Sequence, residues 1–204
     1  MKKLFLIFAT LSVALFANFV PSKTETTVTA VNGDRITMQS SFAMNGMSGL
    51  VVRTLPSGEF ALVVVKQTAP NQAVIVDKNP LGANNLANLK SNPKVGDRVI
   101  GGFMYDKVMV LAPNRDTFVN IQNRFGIQSV NPNVFMGFLA NRGSSNPSTR
   151  DYKEFAKLTH VGLFVIFKNG FITLYDPLSD TDIGKVMMDI SSYNAMKPFY
   201  NTFR

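Results

Sequence analysis

The chain has 204 residues, a formal net charge of +8, one histidine and no cysteine. That length suits one domain or two small ones sharing a core. The missing cysteines exclude a disulfide scaffold, and with one histidine they leave only an all-oxygen metal site open.

The first residues have the layout of a secretory signal peptide. Lys2 and Lys3 precede an apolar run from Leu4 to Phe16, and Ala17 offers a small residue for cleavage. The run is short for a membrane span, although an uncleaved anchor is the alternative. The expectation is an exported chain starting at Asn18, placed in the periplasm or alternatively at the cell surface. Export and the scarcity of dense Lys/Arg blocks argue against a nucleic-acid partner, and the basic charge favours anionic surfaces.

From 18 to 112 the pattern is that of short strands. Thr24 to Ala30 is rich in Thr and Val, and Asn32-Gly33 separates it from Ile36 to Met38 as a hairpin signal. Gly46 and Gly49 are expected to bracket the next turn. Leu50 to Leu55 and Phe60 to Val65 are strands around Pro56-Ser57-Gly58-Glu59, and Pro70-Asn71 turns into Ala73 to Val76. Asp77 to Lys94 is irregular and Asn-rich, a long surface loop in which Leu81, Leu86 and Leu89 have the spacing of one helical turn. Gly96-Asp97 feeds a strand at Val99, and the apolar Val108 to Leu111 is another. About seven closely spaced strands suggest a small antiparallel barrel or curled sheet.

From 113 to 204 helical spacings begin. Asn114 caps a helix carrying Phe118, Ile121 and Phe125, which Gly126 ends. Pro132 opens a second helix with Phe135, Phe138 and Leu139 toward the core, stopped by Gly143. Ser148 and Asp151 form a capping-box-like start for a third, bearing Tyr152, Phe155 and Ala156. Val161 to Phe167 reads as a strand covered on both faces, and Asn169-Gly170 turns it back into Phe171 to Tyr175. Beyond Asp176-Pro177 the spacing of Ile183, Val186, Met187 and Ile190 fits a helix, while Val186 to Ile190 also fits a strand. The fold class expected is α+β: a barrel-like β half, then a helix-rich α/β half with a hairpin. Val95 to Asn114 is the seam between them.

Chemistry-bearing patterns are sparse. His160 is the only histidine and follows a helix, so a structural or capping role fits better than catalysis. Asp176, Asp180 and Asp182 lack the spacing of a calcium loop and read as a solvated turn. Gly101-Gly102 is too short for a phosphate cradle, and Pro93 inside Ser91-Asn92-Pro93-Lys94 argues against a nucleophile helix. The expectation is a non-enzymatic protein with no cofactor, no metal and no small-molecule substrate. The tail holds Phe199, Tyr200, Phe203 and Arg204 within six residues, and aromatics beside an arginine are common anchors of protein contacts. These four are the candidate partner-binding residues.

Several stretches together carry a resemblance. They are Gly46-Met47-Ser48-Gly49-Leu50-Val51-Val52, Lys94-Val95-Gly96-Asp97, Tyr105 to Asn114, Asn131-Pro132-Asn133-Val134-Phe135, Pro147-Ser148-Thr149-Arg150-Asp151-Tyr152 and Pro198-Phe199-Tyr200. In this order they resemble the plasminogen-binding protein A N-terminal domain family, over nearly all the chain after the leader. The resemblance implies an exported, non-enzymatic protein of polar-flagellated bacteria. One function it suggests is a periplasmic structural or adaptor protein, part of the scaffold of a flagellar motor, with other scaffold proteins as partners. The alternative is a surface adhesin that binds host plasminogen through lysines. Longer relatives carry a lysine-rich C-terminal extension, and this sequence ends in Arg204. Internal lysines such as Lys185 and Lys197 are then left for plasminogen, and weak or absent binding is the expectation.

Overall fold

Turn chemistry sets the strand pairing of the first half. The computed structural model describes residues 19–80, 86–144 and 146–188. Strands β1 (Thr24–Asn32) and β2 (Arg35–Met38) are joined by Gly33-Asp34, with Gly33 at φ +60°. A positive φ at the first turn position suits the twist of a hairpin and costs glycine little. Strands β3 (Ser48–Leu55) and β4 (Gly58–Ala69) are joined by Pro56-Ser57. Pro70-Asn71 then leads into β5 (Gln72–Asp77), with Asn71 at φ 58°. Pro followed by a residue tolerant of positive φ is the composition of a type II turn.

A short β6 (Ala87–Asn88) and β7 (Arg98–Gly101) follow. β3, β7, β1, β2, β5 and β4 pair in that order, and β4 pairs back onto β3. This closes a barrel of six antiparallel strands, with β6 added parallel to β4. The irregular stretch before β7 thus carries a two-residue strand at Ala87. Residues 81–85, with Leu81 among them, lie outside the described residues.

The strand at Val108 belongs elsewhere than the sequence suggested. β8 (Val108–Leu111) joins a second sheet, parallel to β10 (Leu163–Lys168) and to β9 (Ser129–Val130). β11 (Phe171–Asp176) and β12 (Thr181–Met187) complete it in the order β12-β11-β10-β8-β9. Residues 181–187 are therefore strand, which resolves the helix-or-strand ambiguity there. Asn169 and Gly170 both take positive φ, 52° and 75°, as a two-residue type I′ hairpin requires.

The three helices among the described residues start and stop where their caps say. Asn114 caps α1 (Arg115–Phe125) by accepting from the Thr117 amide at 2.9 Å, and Gly126 closes it at φ 62°. Asn131 caps α2 (Pro132–Asn141), with Gly143 left-handed just beyond its end. Ser148 and Asp151 form a full capping box on α3 (Thr149–Thr159).

Burial explains the layering. Met109, Leu111, Phe164 and Tyr175 on one face of the second sheet pack against Phe135, Leu139, Tyr152 and Phe155 of α2 and α3. The Tyr152 ring meets Phe164 edge-on at 4.8 Å. The opposite face, with Val108, Val110, Val165 and Leu174, shares one core with the barrel residues Val28, Ile36, Val51, Val63 and Val99, and with Ile121 of α1. β10 is thus covered on both sides, as its apolar run required. Each fully buried Phe or Leu in these layers contributes about 1.5–3 kcal/mol.

β3 and β4 are also buried twice over. Their other side chains, Leu50, Val52, Ala61 and Val64, pack against Phe103, Met104, Ala156 and Leu178. Gly49 lies in β3 opposite Gly101 of β7 and not in the expected turn. A Cβ on Gly49 would meet the Phe42 ring at 2.6 Å and one on Gly101 at 2.5 Å. The two glycines are the floor on which Phe42 lies.

Candidate functional site

The sequence-predicted partner-binding residues Phe199, Tyr200, Phe203 and Arg204 lie outside the described residues, as does the leader 1–17. The surface nearest the tail in sequence is the end of the second sheet. There the hairpin of β10 and β11 pairs Lys168 with Phe171, and β12 brings Met187 opposite Phe171 and Lys185 opposite Thr173. Successive side chains of a strand alternate faces, so Phe171, Thr173, Lys185 and Met187 share one side of the sheet. The Lys185 ammonium stands 4.3 Å from the centre of the Phe171 ring. That contact is worth about 0.5–1 kcal/mol at an exposed site. Met187 is 66% exposed, unusual for a large apolar side chain on a strand.

Acids engage several of the other lysines. Lys23 pairs with Asp106, Lys78 with Asp34, and Lys153 and Lys157 both with Asp77. Burial tends to raise the Asp77 carboxyl, but the two ammonium groups and the Asn79 amide outweigh it and hold it below the ordinary range. Lys168 and Lys185 are exposed and pair with no acid among the described residues.

A second polar constellation sits where the two sheets meet, and it overturns the solvated turn expected at Asp176. That residue is 0% exposed. Its Oδ2 accepts from the Ser48 amide at 2.7 Å and from the Tyr105 hydroxyl at 2.6 Å. Its Oδ1 accepts from the amides of Leu178 at 2.9 Å and Ser179 at 3.2 Å. One carboxyl thereby ties β3, the segment after β7 and the end of β11. Burial pushes it above the ordinary carboxylate range, and the bonds from Tyr105 and Ser48 pull the other way. The Tyr105 hydroxyl is raised first by its burial and then by the neighbouring Asp176 charge. Asp180, by contrast, is exposed and takes the Tyr175 hydroxyl at 2.8 Å. The signal available in the sequence was local: Asp176 follows Tyr175 in an apolar strand and precedes Pro177 and Leu178.

The close approach at this seam is also set by a glycine. A Cβ on Gly162 would lie 2.3 Å from the Met104 carbonyl oxygen. His160 does what its position suggested. It is the C-cap of α3 at φ 61°, and its amide donates to the Ala156 carbonyl at 2.8 Å. Among the described residues no three His, Cys, Asp or Glu side chains gather as a metal site, and no helix is long and apolar enough to cross a membrane.

The family described as plasminogen-binding protein pgbA N-terminal matches residues 23–204. No curated protein and no solved structure matches the chain.

Proposed function

Since the chain belongs to the plasminogen-binding protein pgbA N-terminal family, we propose that it is an exported, non-catalytic adhesin domain that binds plasminogen at the cell surface. The observation that carries this reading is the family match over almost the whole chain. The geometry supplies a contact: Lys168 and Lys185 around Phe171, two ammonium groups that no acid among the described residues engages. Plasminogen's lysine-binding modules take a compact ammonium on a flexible stem, the chemistry lysine offers and arginine does not. Nothing in the fold favours the flagellar-motor scaffold over this reading.

The test is surface plasmon resonance with immobilised plasminogen. Binding should be competed by free lysine and fall by about tenfold, ~1.4 kcal/mol, in the Lys168→Gln/Lys185→Gln double variant. The variant should melt within a few degrees of the wild type, because it gives up only the exposed Lys185–Phe171 contact. Binding that ignores free lysine, or a double variant that binds unchanged, refutes the assignment. Protease added to intact cells should remove the protein, and full protection would return it to the periplasm.

A further inference from the structure

The outer wall of the barrel carries side chains that the fold leaves unused. Directly opposed residues of antiparallel strands share one face, so the register assembles this wall. Arg35 of β2 lies opposite Asn32 of β1 and Val74 of β5, and Val74 lies opposite Lys66 of β4. Two residues along, Thr37 lies opposite Ala30 and Gln72, and Gln72 lies opposite Ala69. Ile36 and Ala73, the residues between, point the other way into the core. The outer residues are all exposed or half-buried.

The wall is basic and contains no acid. Neither Arg35 nor Lys66 pairs with an acid among the described residues. The carboxylates at its margins are already engaged. Lys78 holds Asp34 at 2.9 Å, and Lys153 and Lys157 hold Asp77 at 3.1 and 2.6 Å. Two inter-strand spacings put the Arg35 and Lys66 backbones about 10 Å apart. That is about one Debye length at ~0.1 M salt, so the two fields add along the wall. Ala30, Ala69 and Val74 are short and keep the surface smooth, while Asn32, Thr37 and Gln72 bring amides and a hydroxyl to it.

We infer that this wall binds an acidic polysaccharide. The sugar chain lies across β1, β2, β5 and β4, with its acid groups on the Arg35 guanidinium and the Lys66 ammonium. Arg35 takes a carboxylate through two parallel hydrogen bonds, and Lys66 acts as a point charge. Asn32, Thr37 and Gln72 meet sugar hydroxyls as donors and acceptors. Three features select this partner. The cations stand on an open barrel exterior, which suits a polymer better than a small anion. The most exposed large apolar side chains, Leu158 and Met187, belong to α3 and β12 and not to this wall, whereas a lipid surface is held by burying such side chains. A protein interface is centred on aromatic and other large anchors, and the centre of this wall is the half-buried Val74. The site uses none of the residues of the Lys168–Lys185 patch and does not rest on the plasminogen reading.

The experiment is an NMR titration of the ¹⁵N-labelled chain with a heparin octasaccharide, neutral maltooctaose, poly-Glu of matched charge, and vesicles of equimolar phosphatidylcholine and phosphatidylglycerol. The heparin octasaccharide should shift the amides of Arg35, Thr37, Lys66, Gln72 and Val74, and should bind less tightly as salt rises. The Arg35→Gln/Lys66→Gln double variant should bind it about tenfold more weakly, with a spectrum away from the wall like that of the wild type. Lys168→Gln/Lys185→Gln should leave this binding unchanged. No shift, shifts centred elsewhere, undiminished binding by the Arg35/Lys66 variant, or an equal response to maltooctaose overturns the site. Poly-Glu or the vesicles acting on the same amides at least as tightly as the octasaccharide overturns the polysaccharide assignment, and makes the partner an acidic protein or a lipid surface.

Discussion

Asp176→Ala tests whether the buried carboxyl is what joins the two sheets. The substitution removes the acceptor of four donors, from Ser48, Tyr105, Leu178 and Ser179. Each buried donor left without a partner costs about 1–3 kcal/mol. Water entering the vacated space re-satisfies some of them, and the cost of burying the carboxyl disappears, so the expected net loss is about 3–4 kcal/mol. Asp176→Asn keeps the shape and one acceptor. Its amide can serve Leu178 and Ser179 but then turns a donor toward the Ser48 amide, for a loss of about 1–3 kcal/mol. Tyr105→Phe removes one donor and should cost about 1 kcal/mol. Urea titrations of the three variants at pH 7 give the order directly, read as shifts in midpoint at unchanged slope. The pH dependence supplies a sign. Burial raises the folded value of Asp176 above the unfolded one, so the native state holds more protons between the two. The wild type therefore loses stability as pH rises through that window, and the deficit of the Asn variant shrinks. An Ala variant within about 0.5 kcal/mol of the wild type, the range of ordinary surface changes, refutes the tie.

Two further substitutions probe other joints. Ser148→Ala removes the α3 capping box and should cost about 1 kcal/mol at pH 7. Bonds from the Ser148 amide and hydroxyl, with Arg142 nearby, hold the Asp151 carboxyl below its ordinary value. That stabilisation is complete above the unfolded value and is lost as pH falls through the folded one, so the variant should lose less stability on acidification, measured as urea midpoints from pH 7 to 3. Gly162→Ala sets a methyl against the Met104 backbone. It should cost about 3 kcal/mol or more by calorimetry, and an unchanged melting temperature would show that the seam yields easily.

Local chemistry was legible in the sequence wherever it decides its own conformation. Asn114, Ser148 and Asp151 cap helices because their short side chains reach amides three residues away. Asn169-Gly170 turns because both residues tolerate positive φ. Strand partners were less legible. Val108 to Leu111 is an apolar run equally suited to either sheet, and only the parallel pairing with Leu163 to Ile166 settles which one it joins.

The polar anchors were the least legible, for a reason that their separations make plain. Ser48 and Asp176 are 128 positions apart, Tyr105 and Asp176 71, and Arg53 and Asp97 44. Periodicity reports which face of an element is apolar, but a single buried acid adds no period to its strand. An Asp before Pro carries the composition of a turn whether or not the turn is wet. What makes Asp176 an anchor is the convergence of donors from β3 and from the segment after β7, and that exists only once both sheets are assembled. The same holds at the Arg53–Asp97 pair. Arg53 follows the unbroken apolar run Leu50-Val51-Val52 of a strand buried on both faces, and its charge is held by Asp97, whose own motif reads as a turn. The buried pair fixes Ser91 and Asn92 beside Lys90, so the position of this surface segment depends on a barrel contact far away in the chain. The barrel and the segment after β6 are therefore coupled. Arg53→Met should disorder the Ser91–Asn92 segment while the rest of the barrel ladder, held by main-chain pairing, stays protected from hydrogen exchange.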